Sequence, residues 1–174
     1  MKDWESKEMS QYTQETHTIS VETGLGEDVL LLQSFSGVEE LSRLFSFELS
    51  FLSERDDIEA DEVVGKSINV VMKRQGGEEP RYFNGFVSRF TAQGVGERGM
   101  RIYTATMVPW LWFLTRTTDC KVVALEKNAI DIITSIFDEF GFSDYEVSLH
   151  NASAQAVREL CIQYRETAFD FVSR

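Results

Sequence analysis

The nine residues Phe45 to Ser53, FSFELSFLS, carry the clearest two-residue repeat in the chain. Phe45, Phe47, Leu49 and Phe51 fall on one side, with Ser46, Glu48 and Ser50 between them. Successive side chains of a strand point to opposite faces, so this pattern describes a strand with one dry and one wet side. A helix would scatter those aromatics around its circumference. The chain also holds 13 Phe but only 2 Pro in 174 residues. Aromatic side chains favour pleated surfaces and bury large apolar areas, so a strand-rich fold is expected, and the length suffices for one domain with a sizeable core or for two small ones.

Further strands follow from the same reasoning. Glu27–Gln33 reads as a strand after the Gly24–Gly26 turn. Ile68–Lys73, Arg81–Ala92 and Met100–Val108 are joined by the Gly-rich connections 75–80 and 94–99, which predicts an antiparallel meander. Gly85 inside the second of these strands suggests a bulge. Lys121–Leu125, Tyr145–Leu149 and Leu160–Tyr164 are shorter candidates.

Helix signals are fewer. Ser36 and Glu39 have capping-box spacing, which allows a single turn within Ser36–Phe45. Asp56–Val64 begins acidic, as suits a helix N-terminus, and Gly65 would end it. Pro109 opens a short helix over WLWFLT. Asn128 caps the strongest candidate, with Ala129, Ile132, Ile133, Ile136, Phe137 and Phe140 on one stripe and Gly141 as the stop. Thr167 and Asp170 predict another cap. The chain stops at Arg174, about one turn later, and reads as cut rather than naturally terminated. Residues 1–17 are polar and read as a flexible leader before an ordered region spanning 18–174.

Composition removes several functions. The net charge is −12, and basic clusters suited to phosphates or anionic lipid are missing, so no nucleic-acid or membrane-surface partner is expected. No apolar run approaches the roughly 20 residues of a membrane span, and the first fifteen residues hold no secretory h-region. Cys120 and Cys161 fit a reducing compartment better than a disulfide framework.

No motif points to catalysis. Gly94–Gly99 matches G-x-G-x-x-G, but a strand follows where dinucleotide binding requires a helix. Cys120 or Cys161 with His17 or His150 lacks any sign of an activated thiolate. Asp56, Asp57, Glu59, Asp61 and Glu62 do not have EF-hand spacing and read as a solvated helix start. Asn151–Ser153 is a chance glycosylation sequon. Trp110–Leu114 suits a buried corner or a subunit contact better than a ligand platform. Arg158–Glu159 and Arg165–Glu166 bracket LCIQY, and on chemistry alone strand-end ion pairs and a subunit interface are balanced readings. Catalytic, cofactor-binding and metal residues are all expected to be absent.

Six segments in order resemble the N-terminal region of the VgrG spike proteins of type VI secretion systems. They are Glu39–Phe47, Val64–Gly65 before INVVM, Arg81–Val87 (R-x-F-x-G-x-V), Tyr103–Leu114 (Y…PWLWxL), Asp131–Ile133, and Arg158–Thr167 with Phe169–Arg174. The likeness spans about residues 20–174.

The resemblance implies an α+β, β-rich fold: an antiparallel, barrel-like tube domain with added helices, similar to phage tail hubs. It implies a structural component of a contractile injection machine, without catalysis or cofactor. As a family property of the full-length chain, three copies form a cylinder with pseudo-sixfold symmetry that caps the hexameric Hcp tube and meets baseplate proteins; whether residues 1–174 form a trimer alone is left open. A PAAR protein joins only through a distal needle. Assembly in the bacterial cytoplasm precedes injection into a target cell, the only stage with membrane passage. The family pattern continues through an L-x-E-E-G segment, a second hub half, an OB-fold and the needle, none of which lies in these 174 residues. The alternative is an independent β-rich ligand- or protein-binding domain.

Overall fold

A computed structural model describes residues 12–74, 76, 78–149 and 156–174. Two compact units, 1–109 and 110–174, divide the chain.

The first unit is one antiparallel sheet of six strands: β1 (Ile19–Thr23), β2 (Leu31–Val38), β3 (Ser46–Ser53), β4 (Ser67–Met72), β5 (Arg81–Val95) and β6 (Arg101–Val108). Their order is β1-β4-β5-β6-β3-β2, so the expected meander β4-β5-β6 forms its centre. The sheet curls into a half-barrel around an apolar core. Phe47, Leu49 and Phe51 are buried there as their alternation requires, with Phe45 packed at the margin. Tyr103 stacks on Phe90 and is fully buried. Its hydroxyl donates to the Arg55 carbonyl at 3.2 Å and accepts from the Ile58 N–H at 3.3 Å. One phenol thus pins the segment after β3 over the core.

Strand pairing corrects two expectations. Ser36 begins no helical turn, because Ser36, Gly37 and Val38 pair with Glu48, Phe47 and Ser46. A Cβ on Gly37 would run into the Phe47 ring and the Ser46 carbonyl, so that close pairing needs glycine. Gly85 is no bulge either, for it lies in register with Ile68. The irregularities fall at Val87/Arg89 and Ala92/Val95. Gly85 instead lets β6 approach: a Cβ there would sit 2.7 Å from Met107 Cγ and 2.8 Å from the Val108 carbonyl.

The expected helix over Asp56–Val64 shrinks to α1 (Ala60–Val63). Glu62 accepts the Glu59 N–H at 2.9 Å, and Arg55 draws Asp57 out of any helical turn with a 2.8 Å bond.

The ends of the half-barrel are joined through Gln14. Its Oε1 accepts the N–H groups of Val21 in β1 and Leu32 in β2, each at 3.0 Å. Its Nε2 donates to the carbonyls of Val21 (3.3 Å) and Leu30 (3.1 Å). The side chain is buried, although Gln14 lies in the stretch read as a leader. Residues 1–11 of that stretch lie outside the described residues, as do His150 and the Asn151–Ser153 sequon.

The second unit contains a 3₁₀ turn (Trp110–Thr115), β7 (Thr118–Asn128), α2 (Ala129–Glu139), β8 (Val157–Thr167) and α3 (Ala168–Ser173). β7 and β8 pair as a two-stranded antiparallel ribbon. Leu114, Ile132, Ile136, Ala168 and Phe171 form its small core. Asn128 and Thr167 cap their helices by accepting the N–H of Asp131 and Asp170. Tyr145–Leu149 is irregular, not a strand: Val147 and Leu149 are exposed and have no strand partner among the described residues.

Candidate functional site

Among the described residues, those with chemical potential are not brought together. Gly94–Gly99 connects β5 to β6, with a strand rather than a helix after it. Cys120 is exposed on β7, while Cys161 on β8 packs against the small core. His17 precedes β1, its backbone N–H bonded to the Gln14 carbonyl at 2.9 Å. No hydrogen bond joins either thiol to a histidine among the described residues. Nor do three or more metal-ligating side chains cluster among them.

Trp110 belongs to a packed corner. Its ring meets Phe137 edge-on and stacks on Phe142, both at 4.9 Å between centroids. Trp112 carries Arg116 over its ring at 5.0 Å. Within the run Leu114 is buried, and Trp110 and Leu111 are half-buried against the same small core.

Three surfaces stand out. The wet side of the sheet is the first. Glu48 on β3 accepts from the Thr106 hydroxyl of β6 at 2.9 Å, and Arg89 of β5 donates to Thr106 at 3.1 Å. Gln93 donates to Thr104 at 3.3 Å, and Ser50 to Gln33 at 3.0 Å. Charges on this face are balanced locally, and hydroxyls dominate it.

The second is the connection between β2 and β3. Val38 and Leu41 are exposed, with Glu39 and Glu40 between them. Arg81 anchors the base, 2.8 Å from Glu39 and over the Phe83 ring at 4.4 Å.

The third is the outer face of the ribbon. Alternation in Leu160–Tyr164 is real: Leu160, Ile162 and Tyr164 point out, and Gln163 is buried. Gln163 is satisfied by donating to the Glu166 carbonyl at 3.0 Å. Of the bracketing charges, Glu166 pairs with Arg174 at 3.0 Å and Arg165 lies over the Tyr164 ring. Lys121 joins β7 to α2 through Glu139 at 2.7 Å. Those bonds hold its ammonium above the ordinary lysine range.

Gln14 and Leu41 were invisible as functional positions, since neither belongs to a periodic run. The exposed ribbon face had a signal, the apolar alternation itself, but nothing in it fixes which side turns outward.

Residues 38–174 match the phage tail baseplate hub (GPD) family. The chain belongs to that family. This hub chain is 41% identical over 172 residues to the type VI secretion system spike protein VgrG1c of Pseudomonas aeruginosa, covering 99% of the chain and 23% of the relative. It is 28% identical over 160 residues to the spike protein VgrG3 of Vibrio cholerae, covering 87% of the chain and 15% of the relative. The chain thus spans under a quarter of the length of either relative. Its fold is similar to that of the E. coli c3393 protein, a type VI secretion component with structural similarity to T4 tail proteins gp27 and gp5. The TM-score is 0.71 at 19% identity, covering 89% of this chain and 42% of that one. The hub chain therefore has the β-rich, barrel-like hub fold that its motifs implied.

Proposed function

We propose that this hub chain is the N-terminal part of a VgrG spike, a structural component of a type VI secretion machine. Three copies close around an axis and cap the Hcp tube, next to baseplate proteins. The observation that carries the reading is the match to the hub family along 137 consecutive residues, 38–174, all within a sheet-and-ribbon fold of hub type.

The surfaces support such a role. A hub meets its neighbours through faces used repeatedly under closed symmetry, and needs no catalytic pocket. The hydroxyl-rich, charge-balanced side of β3, β5 and β6 suits a wetted lumen or a polar ring contact. The acidic balance of −12 disfavours nucleic acid. In the longer protein a PAAR partner joins through the needle, and the assembly forms in the bacterial cytoplasm before injection into a target cell.

The test is sedimentation of the chain with purified hexameric Hcp rings of the same secretion system. Capping predicts co-sedimentation saturating at about three chains per ring, set by the threefold match. Absence of ring binding, with saturable binding of a peptide or sugar instead, would favour an independent binding domain.

A further inference from the structure

Two exposed patches complement each other in charge and apolar character. On the ribbon, cross-strand register puts Cys120 beside Tyr164, Val122 beside Ile162, and Lys127 beside Arg158. Opposed residues of an antiparallel pair share a face, so these rows line one surface. Val122, Leu160, Ile162 and Tyr164 are 57%, 53%, 41% and 62% exposed. At one end lie two cations directly opposite each other, a repulsive arrangement unless an anion sits between or above them. Neither Lys127 nor Arg158 has an ion-pair partner among the described residues. In a chain with a net charge of −12, an unpaired cationic pair beside an apolar stripe is a specific feature.

The tip between β2 and β3 has the opposite character. Val38 is 64% exposed and Leu41 97%, and the two residues between them are Glu39 and Glu40. Their intrachain partners, Arg81 at 2.8 Å and Arg43 at 3.6 Å, are surface pairs. A carboxylate has about four acceptor sites, so each retains capacity for a further cation.

We propose that the Val38–Leu41 tip of one copy docks on the outer β7–β8 face of a second copy. Leu41 and Val38 lie on the Val122/Ile162 and Leu160 rows, and Glu39 and Glu40 face Lys127 and Arg158. Tip and face are different surfaces, so the contact is heterologous and runs head to tail. Such a contact closes into a ring when its rotation matches the symmetry. The inference rests on the threefold reading above and names the surfaces that make it.

Light scattering on three samples tests it. The wild type should form the trimer of about 60 kDa, three times 19.9 kDa. Leu41→Asp and Ile162→Asp should each be monomeric, with association weakened on the order of a hundredfold by a carboxylate placed in the apolar contact. Their thermal melts should match the wild type, since both positions are exposed. Should Ile162→Asp disturb the ribbon, Lys127→Glu with Arg158→Glu replaces it as the face variant. Mixing a tip variant with a face variant restores one intact contact, and the mixture should reach about 40 kDa and no further. If either variant remains trimeric, or if two monomeric variants fail to combine, the contact is wrong while the trimer stands. A wild type that stays monomeric at every concentration overturns the contact, while the threefold reading of the longer protein is tested separately by the ring-capping experiment.

Discussion

A single amide side chain completes the half-barrel. Gln14 presents one acceptor and one donor to each end of the sheet, as a peptide group in a ladder would. Removing it strands backbone groups of Val21, Leu30 and Leu32 in a buried place. Gln14→Ala should cost about 3 kcal/mol, because unsatisfied buried polar groups carry most of their desolvation penalty. Chemical denaturation checks this, and a loss within error would mean that water replaces the amide. The same residue sets an acid sensitivity. Burial works to raise the Asp28 carboxyl, but hydrogen bonds from the Gln14 backbone N–H and the Thr13 and Gln14 side chains outweigh it, so it lies below the ordinary 3.8. A depressed carboxyl stabilises the fold above its unfolded value, and that contribution disappears as pH falls through the lower folded value. Asp28→Asn should therefore flatten the stability profile below about pH 4, where the unfolded aspartate begins to take up its proton. An unchanged slope in acid melts would contradict the assignment.

At the scale of elements, the close approach of β5 and β6 is the most demanding feature. Gly85→Ala puts a methyl against Met107 and the Val108 carbonyl, and should destabilise by about 2 kcal/mol, as overpacking does. Thr167→Ala removes the cap of α3 and should cost about 1 kcal/mol, measurable in the same denaturation assay. These elements differ in how legible they were. β3 and α2 each have a single buried side, so period 2 and period 3.6 located them directly. Asp56–Val64 had helix-start chemistry, yet Arg55 takes the Asp57 carboxylate two residues on, and one local preference competed with another. In β8 the period was correct, and it assigned no side to the core. The core-facing positions hold Gln163 and Cys161, because the space beneath is already filled by α2, α3 and the Trp110–Thr115 turn. A repeat of two says that faces differ, and only the neighbours decide which face is dry. Gln14 lay beyond this kind of reading, since one buried amide between polar residues has no period.

For the whole molecule, the features that stand out are surfaces: the wet side of the sheet, the Val38–Leu41 tip and the outer face of the ribbon. No histidine is hydrogen-bonded to Cys161 among the described residues, so Cys161→Ser, which keeps a small side chain, should leave self-association unchanged within about twofold, the scale of a near-neutral contact. A loss of association in Cys161→Ser would trace to the small core it packs against. The hub fold and the run of motifs from Glu39 to Arg174 carry the family membership, and closed threefold assembly is the proposal that the two complementary patches extend. The most direct measurement is the native mass of the chain by light scattering across a concentration series. Closed threefold assembly through the surfaces of these 174 residues predicts a plateau near 60 kDa, three chains of 19.9 kDa, and a mass of 19.9 kDa at every concentration would contradict it.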